Sequence, residues 1–137
     1  AFGSKLTAAE AFETCWMAWR GSTPLAYLVS LPACLESLPA LDAPHWMPQA
    51  RPRLLYLHDM AVAPEARALG LAGRLLAQAE QRAGVLGLAE LALVAVQGSE
   101  PYWQRRGFAT LGALPARLAA KLTSFGEQAR FMRRQLA

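Results

Sequence analysis

Residues 54–73 constrain the fold of this chain more than any other stretch: Leu-Leu-Tyr-Leu-His-Asp-Met-Ala-Val-Ala-Pro-Glu-Ala-Arg-Ala-Leu-Gly-Leu-Ala-Gly. Leu54–Val62 is rich in apolar and aromatic residues and is closed off by Pro64, which predicts a strand. Small residues fill much of Arg67-Ala68-Leu69-Gly70-Leu71-Ala72, where a helix should begin. A strand that turns tightly into a helix aims several backbone N–H groups at one point, and the helix dipole adds partial positive charge there. Such a corner suits an anion, typically a pyrophosphate. Two other nucleotide loops are absent: no Gly-x-Gly-x-x-Gly follows a strand, and Gly-x-x-x-x-Gly-Lys does not occur.

The chain has 137 residues and 54% hydrophobic content, enough for one domain over residues 1–137 with a packed core, and too apolar for disorder. Phe2, Leu6, Ala9 and Phe12 fall near helical spacing, so residues 1–13 read as the tail of a helix, with Thr7 and Glu10 as a capping box. Residues 14–20 and 25–31 read as strands of a hairpin about the turn Gly21-Ser22-Thr23-Pro24. From Pro32 to Pro52 five prolines break regular structure, which predicts a long connection. His45 and Trp46 inside it either line a substrate mouth or cap the core. Residues 70–82 should be a helix with Leu71, Leu75, Leu76 and Ala79 on one face, ended by Gly84 or Gly87. Residues 88–96 are apolar on both faces, the pattern of a buried parallel strand, so strand, helix and strand form a right-handed βαβ unit. A short helix over 99–106, a strand over 107–111, a helical or irregular stretch over 114–125 and a last strand over 128–136 complete the chain. This order predicts an α/β fold: one mixed sheet with helices on both faces.

Two segments resemble motifs of the GNAT superfamily of N-acetyltransferases. Arg67, Gly70 and Ala72 match the family pattern Arg/Gln-x-x-Gly-x-Gly/Ala, which follows a strand ending in apolar-Ala-Val-x-Pro, here Ala61, Val62 and Pro64. Tyr102-Trp103-Gln104-Arg105-Arg106-Gly107-Phe108 resembles the family's aromatic-aromatic-x-x-x-Gly-Phe helix end, and residues 126–132 resemble its terminal strand. The likeness extends over residues 12–137. It implies a GNAT-like fold with a central twisted mixed β-sheet and a splayed parallel βαβ unit. The family's first strand and helix would come before Ala1.

The resemblance also implies a chemistry: transfer of an acetyl group from acetyl-CoA, as co-substrate, to a primary amine of a small molecule or peptide. The amine would attack directly in a ternary complex. Arg67, Ala68, Leu69, Gly70, Leu71 and Ala72 would offer backbone N–H groups to the CoA pyrophosphate, and Arg67 a charged contact. The backbone of Met60, Ala61 and Val62 would pair with the pantetheine arm where this strand splays from residues 94–96. Gln97 stands where the family often has Asn, and Trp103 where many members carry a tyrosine as general acid. Some members carry histidines on the central strand that are proposed as bases, which makes His58 the candidate base. An imidazole with an ordinary pKa of about 6.5 accepts a proton near neutrality. On a regular strand Tyr56, His58 and Met60 share one face and Asp59 takes the other. Tyr102 is either a displaced acid or a packing residue, and Ser99 is a further donor. The departure at Trp103 leaves a second class open: a module that binds acetyl-CoA without catalysis, for regulation or interaction.

Net charge is +4, with Arg117, Lys121, Arg130, Arg133 and Arg134 late in the chain. They supply either a field that attracts a polyanion such as CoA or a solvated surface. Basic and aromatic residues are not interleaved, so no nucleic-acid partner is expected. No apolar run reaches the roughly 18 residues of a membrane helix. Cys15 and Cys34 belong to no Cys-x-x-Cys pair, so no metal is expected; Cys15 reads as a core thiol, and reduced thiols suit the cytoplasm. The apolar strand carrying Trp16 and Trp19 leaves a homodimer open, its partner completing the sheet.

Overall fold

The computed structural model describes residues 13–34, 52–96 and 98–112 and, toward the end of the chain, residues 119, 120, 122, 125, 126 and 129–136. β1 (Cys15–Arg20) and β2 (Thr23–Ala33) form the expected hairpin about Gly21-Ser22. β2 pairs antiparallel with β3 (Leu54–Val62), and β3 pairs parallel with β4 (Glu90–Ala95). β5 (Ala109–Thr110) and β6 (Arg130–Gln135) close the sheet, giving the order β1-β2-β3-β4-β6-β5. A 3-10 turn, Pro64–Leu69, leads into α1 (Leu71–Val85), and α2 (Glu100–Arg105) follows β4.

Both faces of the sheet are apolar, and helical backbone lies on each. On one, Leu28, Leu55, Leu57, Leu91, Leu93 and Met132 pack against the α1 stripe Leu71, Leu75, Leu76, Ala79 and Ala83. On the other, Val29, Leu31, Leu54, Tyr56, Ala92 and Phe131 form a second cluster, with Leu122 against it. β4 feeds Leu91 and Leu93 to the first cluster and Ala92 to the second, which is why it reads as an unbroken apolar run. Cys15 is only partly buried, at the margin of the second cluster.

Several boundaries differ from expectation. β2 takes in Pro24 and Pro32, although prolines were expected to bound it. The Ser30 N–H points to β1, donating to the Thr14 carbonyl at 2.9 Å. The Pro32 nitrogen, two residues on, points the same way, past the described pairing of β1 with β2, so none of the described ladder bonds is forfeited. β4 is shorter than residues 88–96, and β5 holds two residues, beyond which Leu111 donates to Phe131 at 2.9 Å in the same register. α1 runs on to Val85 and ends where Leu88 donates to Ala83 and Gly87 to Gly84. The helix expected over 1–13 (all but Glu13), the connection with His45 and Trp46, and most of 114–125 lie outside the described residues.

The consequential difference is in β3. Leu57 pairs with Ser30 and Asp59 with Val29, so nothing on β2 stands opposite His58. His58 is therefore the extra residue of a β-bulge. Beyond it Met60 pairs with Leu28 and Val62 with Ala26 on the α1 face, while Ala61 pairs with Tyr27 on the other. The expected sharing of one face by Tyr56, His58 and Met60 does not hold. One surplus residue reverses the alternation, so Met60 joins Leu57 on the α1 face and Asp59 joins the Tyr56 face. β3 and β4 pair only from Leu54↔Glu90 to Leu57↔Leu93. After that β3 continues with β2 to Val62, and β4 with β6 to Ala95. The parallel pair thus opens into a wedge at the bulge.

Burial drives the Tyr56 phenol well above its ordinary pKa. A raised folded-state value means that the native chain holds this proton more tightly than the unfolded chain does. The associated stability is complete below about pH 10 and is lost as pH rises beyond it. Urea unfolding between about pH 9 and 11 should therefore show stability falling by up to about 1.4 kcal/mol per pH unit from this group. Tyr56→Phe should flatten that fall, and an equally steep fall in the variant would contradict the assignment.

Candidate functional site

The wedge holds a cavity of about 530 Å³. Leu57, His58, Asp59 and Met60 line it from β3, Leu93, Val94 and Val96 from β4 and its end, and Ser99, Tyr102 and Trp103 from α2 and its approach. A second cavity of about 340 Å³ lies at the start of α1, lined by Ala61, Val62, Gly70, Ala72 and Arg106 among others. Met60, Arg67 and Tyr102 border both, so the two adjoin.

The corner at α1 is built from its backbone. Gly70 closes the 3-10 turn and starts α1 with φ 72° and ψ 21°, a left-handed conformation that favours glycine even though a side chain would meet nothing there. The first turn of α1 carries no acid, so nothing offsets its positive end. Ala72 keeps the wall low, while the Leu71 side chain is buried in the core and anchors the helix. The residues expected as one open loop divide in two: Arg67, Ala68 and Leu69 belong to the 3-10 turn, and Leu71 and Ala72 to α1. Ala68, Leu69 and Leu71, expected in the anion loop, are not among the residues that line either cavity. Gln97 lies outside the described residues.

α2 supplies the opposite wall, and its Gly-Phe ending has a physical cause. Phe108 donates to the Trp103 carbonyl at 3.1 Å and Gly107 to Gln104 at 3.0 Å, with Gly107 at φ 89°. This paired closure needs the left-handed residue and brings an apolar contact with it. Here that contact is the edge-on packing of Trp103 against Phe108, centroids 5.6 Å apart. Trp103 thus spans core and cavity. Tyr102 meets Trp103 edge-on at 5.0 Å and reaches both cavities. Ser99 Oγ accepts from the Val96 N–H at 3.2 Å and ties α2 to the end of β4.

Arg106 and Tyr27 escaped the sequence reading as site residues. Arg106 lines the α1 corner, its guanidinium 5.2 Å from the Tyr102 ring centroid. A Cβ on Gly73 would stand 2.8 Å from Arg106 Nη1, so glycine there leaves the guanidinium its path across α1. A glycine inside a helix costs about 1 kcal/mol against alanine, and that was the available signal. Arg134 Nη1 donates to the Arg106 carbonyl at 2.9 Å while pairing with Glu80. Tyr27 Oη donates to Asp59 Oδ2 at 3.1 Å, and its phenol is held above the ordinary value, first by burial and then by the Asp59 charge. His58 lies beside Tyr56, ring centroids 5.8 Å apart, with Nδ1 shielded from solvent.

A family model described as Acetyltransferase (GNAT) family matches residues 4–108, ending before β5 and β6. Solved structures share the fold. Against N-acetylglutamate synthase from Neisseria gonorrhoeae, complexed with coenzyme A and N-acetyl-glutamate, the TM-score is 0.66 at 18% identity over 90% of this chain. Against nourseothricin acetyltransferase it is 0.63 at 24% identity over 90% of this chain. Against PaiA N-acetyltransferase from Thermoplasma acidophilum in complex with coenzyme A it is 0.59 at 13% identity over 88% of this chain. The chain spans 26%, 65% and 59% of those three proteins respectively. No curated protein matches its sequence. Among the described residues no helix is long and apolar enough to cross a membrane.

Proposed function

The chain belongs to the GNAT acetyltransferase family, and from that premise we propose that it transfers an acetyl group from acetyl-CoA to a primary amine. The observation that carries this reading is the continuity of the two cavities: an anion corner at α1 adjoins a wedge with titratable side chains. The corner fits a pyrophosphate, since it combines the start of a helix, a first turn without acids, and Arg67 and Arg106 in its wall. Acetyl-CoA supplies an activated thioester. The β3 backbone from Met60 to Val62, released from β4 by the bulge, pairs with the pantetheine arm and polarises the acyl carbonyl.

The amine nitrogen forms a bond to the acyl carbon and the carbon–sulfur bond breaks. The ammonium proton passes to His58, directly or through water, and the departing thiolate takes a proton from the Tyr102 hydroxyl. Tyr102 borders the wedge one residue from the family's usual tyrosine, at whose position Trp103 packs on Phe108. That Trp103 favours a second reading, binding of acetyl-CoA without turnover, which CoA release in the presence of amines separates from the first. Two cysteines outside any Cys-x-x-Cys pair are in keeping with a cytoplasmic enzyme.

Calorimetric titration with acetyl-CoA should show near-stoichiometric micromolar binding that Gly70→Glu abolishes in a folded protein. No binding by folded wild-type chain, or full affinity in the variant, would overturn the corner assignment. His58→Ala should flatten the rise of rate between roughly pH 6 and 8. An unaltered profile would remove His58 from the proton path.

A further inference from the structure

We infer that Arg134, on the last strand, is a positioning residue for the coenzyme: it holds the end of α2 so that the Arg106 guanidinium lies across the first turn of α1 and meets the coenzyme phosphates. The inference rests on the acetyl-transfer reading and adds to it a residue that is not among those lining either cavity.

Two arginines cross one face of α1. Gly73 and Glu80 are two helical turns apart and so lie one above the other. Arg106 passes over the first, since a Cβ on Gly73 would stand 2.8 Å from its Nη1. Arg134, set on the α1 face of the sheet by its pairing with Leu91, is bound at the second through Glu80. The other nitrogen of the same fork, Nη1, donates to the Arg106 carbonyl at 2.9 Å. One guanidinium thus ties α1, β6 and the end of α2 together, a task that suits a planar fork better than a single ammonium. Its stem is fixed as well. A Cβ on Gly107 would meet the Arg134 Cδ at 3.0 Å, and Cζ lies 5.4 Å from the Phe108 ring centroid.

What Arg106 crosses is the part of α1 that attracts anions. Arg74 donates to the Gly70 carbonyl at 3.2 Å, and the N–H groups of Leu71, Ala72 and Gly73 before it have no partner inside the helix. A guanidinium beside these donors adds a full positive charge where the helix supplies a partial one. Its second contact, 5.2 Å from the Tyr102 ring centroid, keeps it at the corner. Arg105, next in the chain, is exposed and is not among the residues lining either cavity. Both arginines fall on open positions of the aromatic-aromatic-x-x-x-Gly-Phe pattern, so it is the hold of Arg134 on Arg106 that selects one of them.

The test is a double-mutant cycle on the acetyl-CoA Kd, measured by calorimetry. Arg106→Gln should weaken binding about tenfold and Arg134→Lys about three- to fivefold. The double variant should bind no more weakly than Arg106→Gln alone, because Arg134 acts through Arg106. Arg105→Gln, which removes an equal charge one residue away, should change Kd less than about twofold. In turnover, Arg134→Lys should raise KM for acetyl-CoA and leave KM for S-acetylpantetheine, a donor without the phosphates, where it was. Unmoved acetyl-CoA affinity in Arg134→Lys, additive losses in the double variant, or an equal loss in Arg105→Gln overturns the inference and leaves the acetyl-transfer reading standing. A wild-type chain that binds no acetyl-CoA overturns both. One that binds it but acetylates no amine overturns the transfer reading alone, and the dissociation constants decide the inference. Should Arg134→Lys fail to fold, Glu80→Gln, which loosens the other end of the same fork from an exposed position, takes its place in the cycle with the same expected sign.

Discussion

Between β2 and β3 the hydrogen-bond ladder carries one residue too many on the β3 side, at His58, and the register closes again on both sides of it. A bulge bends and twists its strand. Here it does so where β3 lies between an antiparallel and a parallel neighbour, and the parallel pairing gives way first. Leu54 to Leu57 stay laddered to β4 with core on both faces, so the wedge has a rigid floor. Met60 to Val62 stay laddered to β2, so the arm that leaves β4 is still held. An open groove inside a continuous sheet would otherwise strand backbone donors and acceptors, and a ligand with its own amides is the natural complement.

Two helices complete the groove, each for a local reason. α1 begins at Gly70 because the chain must pass through a left-handed conformation there, and its buried stripe fixes its direction against the sheet. α2 spans six residues, too few to persist alone, and is held by the Trp103–Phe108 contact, the Glu100–Thr110 hydrogen bond and Arg134 reaching the Arg106 carbonyl. Arg134 itself pairs with Glu80 on α1. The positions of Tyr102 and Arg106 therefore depend on β6, far along the chain from the corner that they border.

Much of the fold was legible because it rests on periodicity and turn chemistry. The hairpin, the β3–α1–β4 unit and the short α2 followed from apolar spacing, with Gly70 and Gly107 marking helix ends. β4 announced its burial on both faces by lacking polar positions after Glu90. What stayed hidden was register. Counting residues along β3 assumes strict alternation, and a bulge leaves no mark in Leu-Tyr-Leu-His-Asp-Met that sets it apart from a regular strand. The pairing of Tyr27 with Asp59 and the crossing of Arg106 over Gly73 join residues 32 and 33 positions apart, beyond any local pattern. Pro32 misled for a related reason: a proline ends a strand only where its nitrogen is needed in the ladder, and Pro32 takes no part in the described pairing of β2 with β1.

The most direct measurement is amide hydrogen exchange and chemical shift along β3 and α1, with and without coenzyme A. Amides of Met60 to Val62 and of Leu71 to Gly73 should respond together and exchange more slowly, while Leu54 to Leu57 stay unchanged because β4 already engages that part of the strand. Perturbation confined to Leu54–Leu57, or to surfaces away from the wedge and the α1 corner, would contradict a coenzyme seated between the splayed strands.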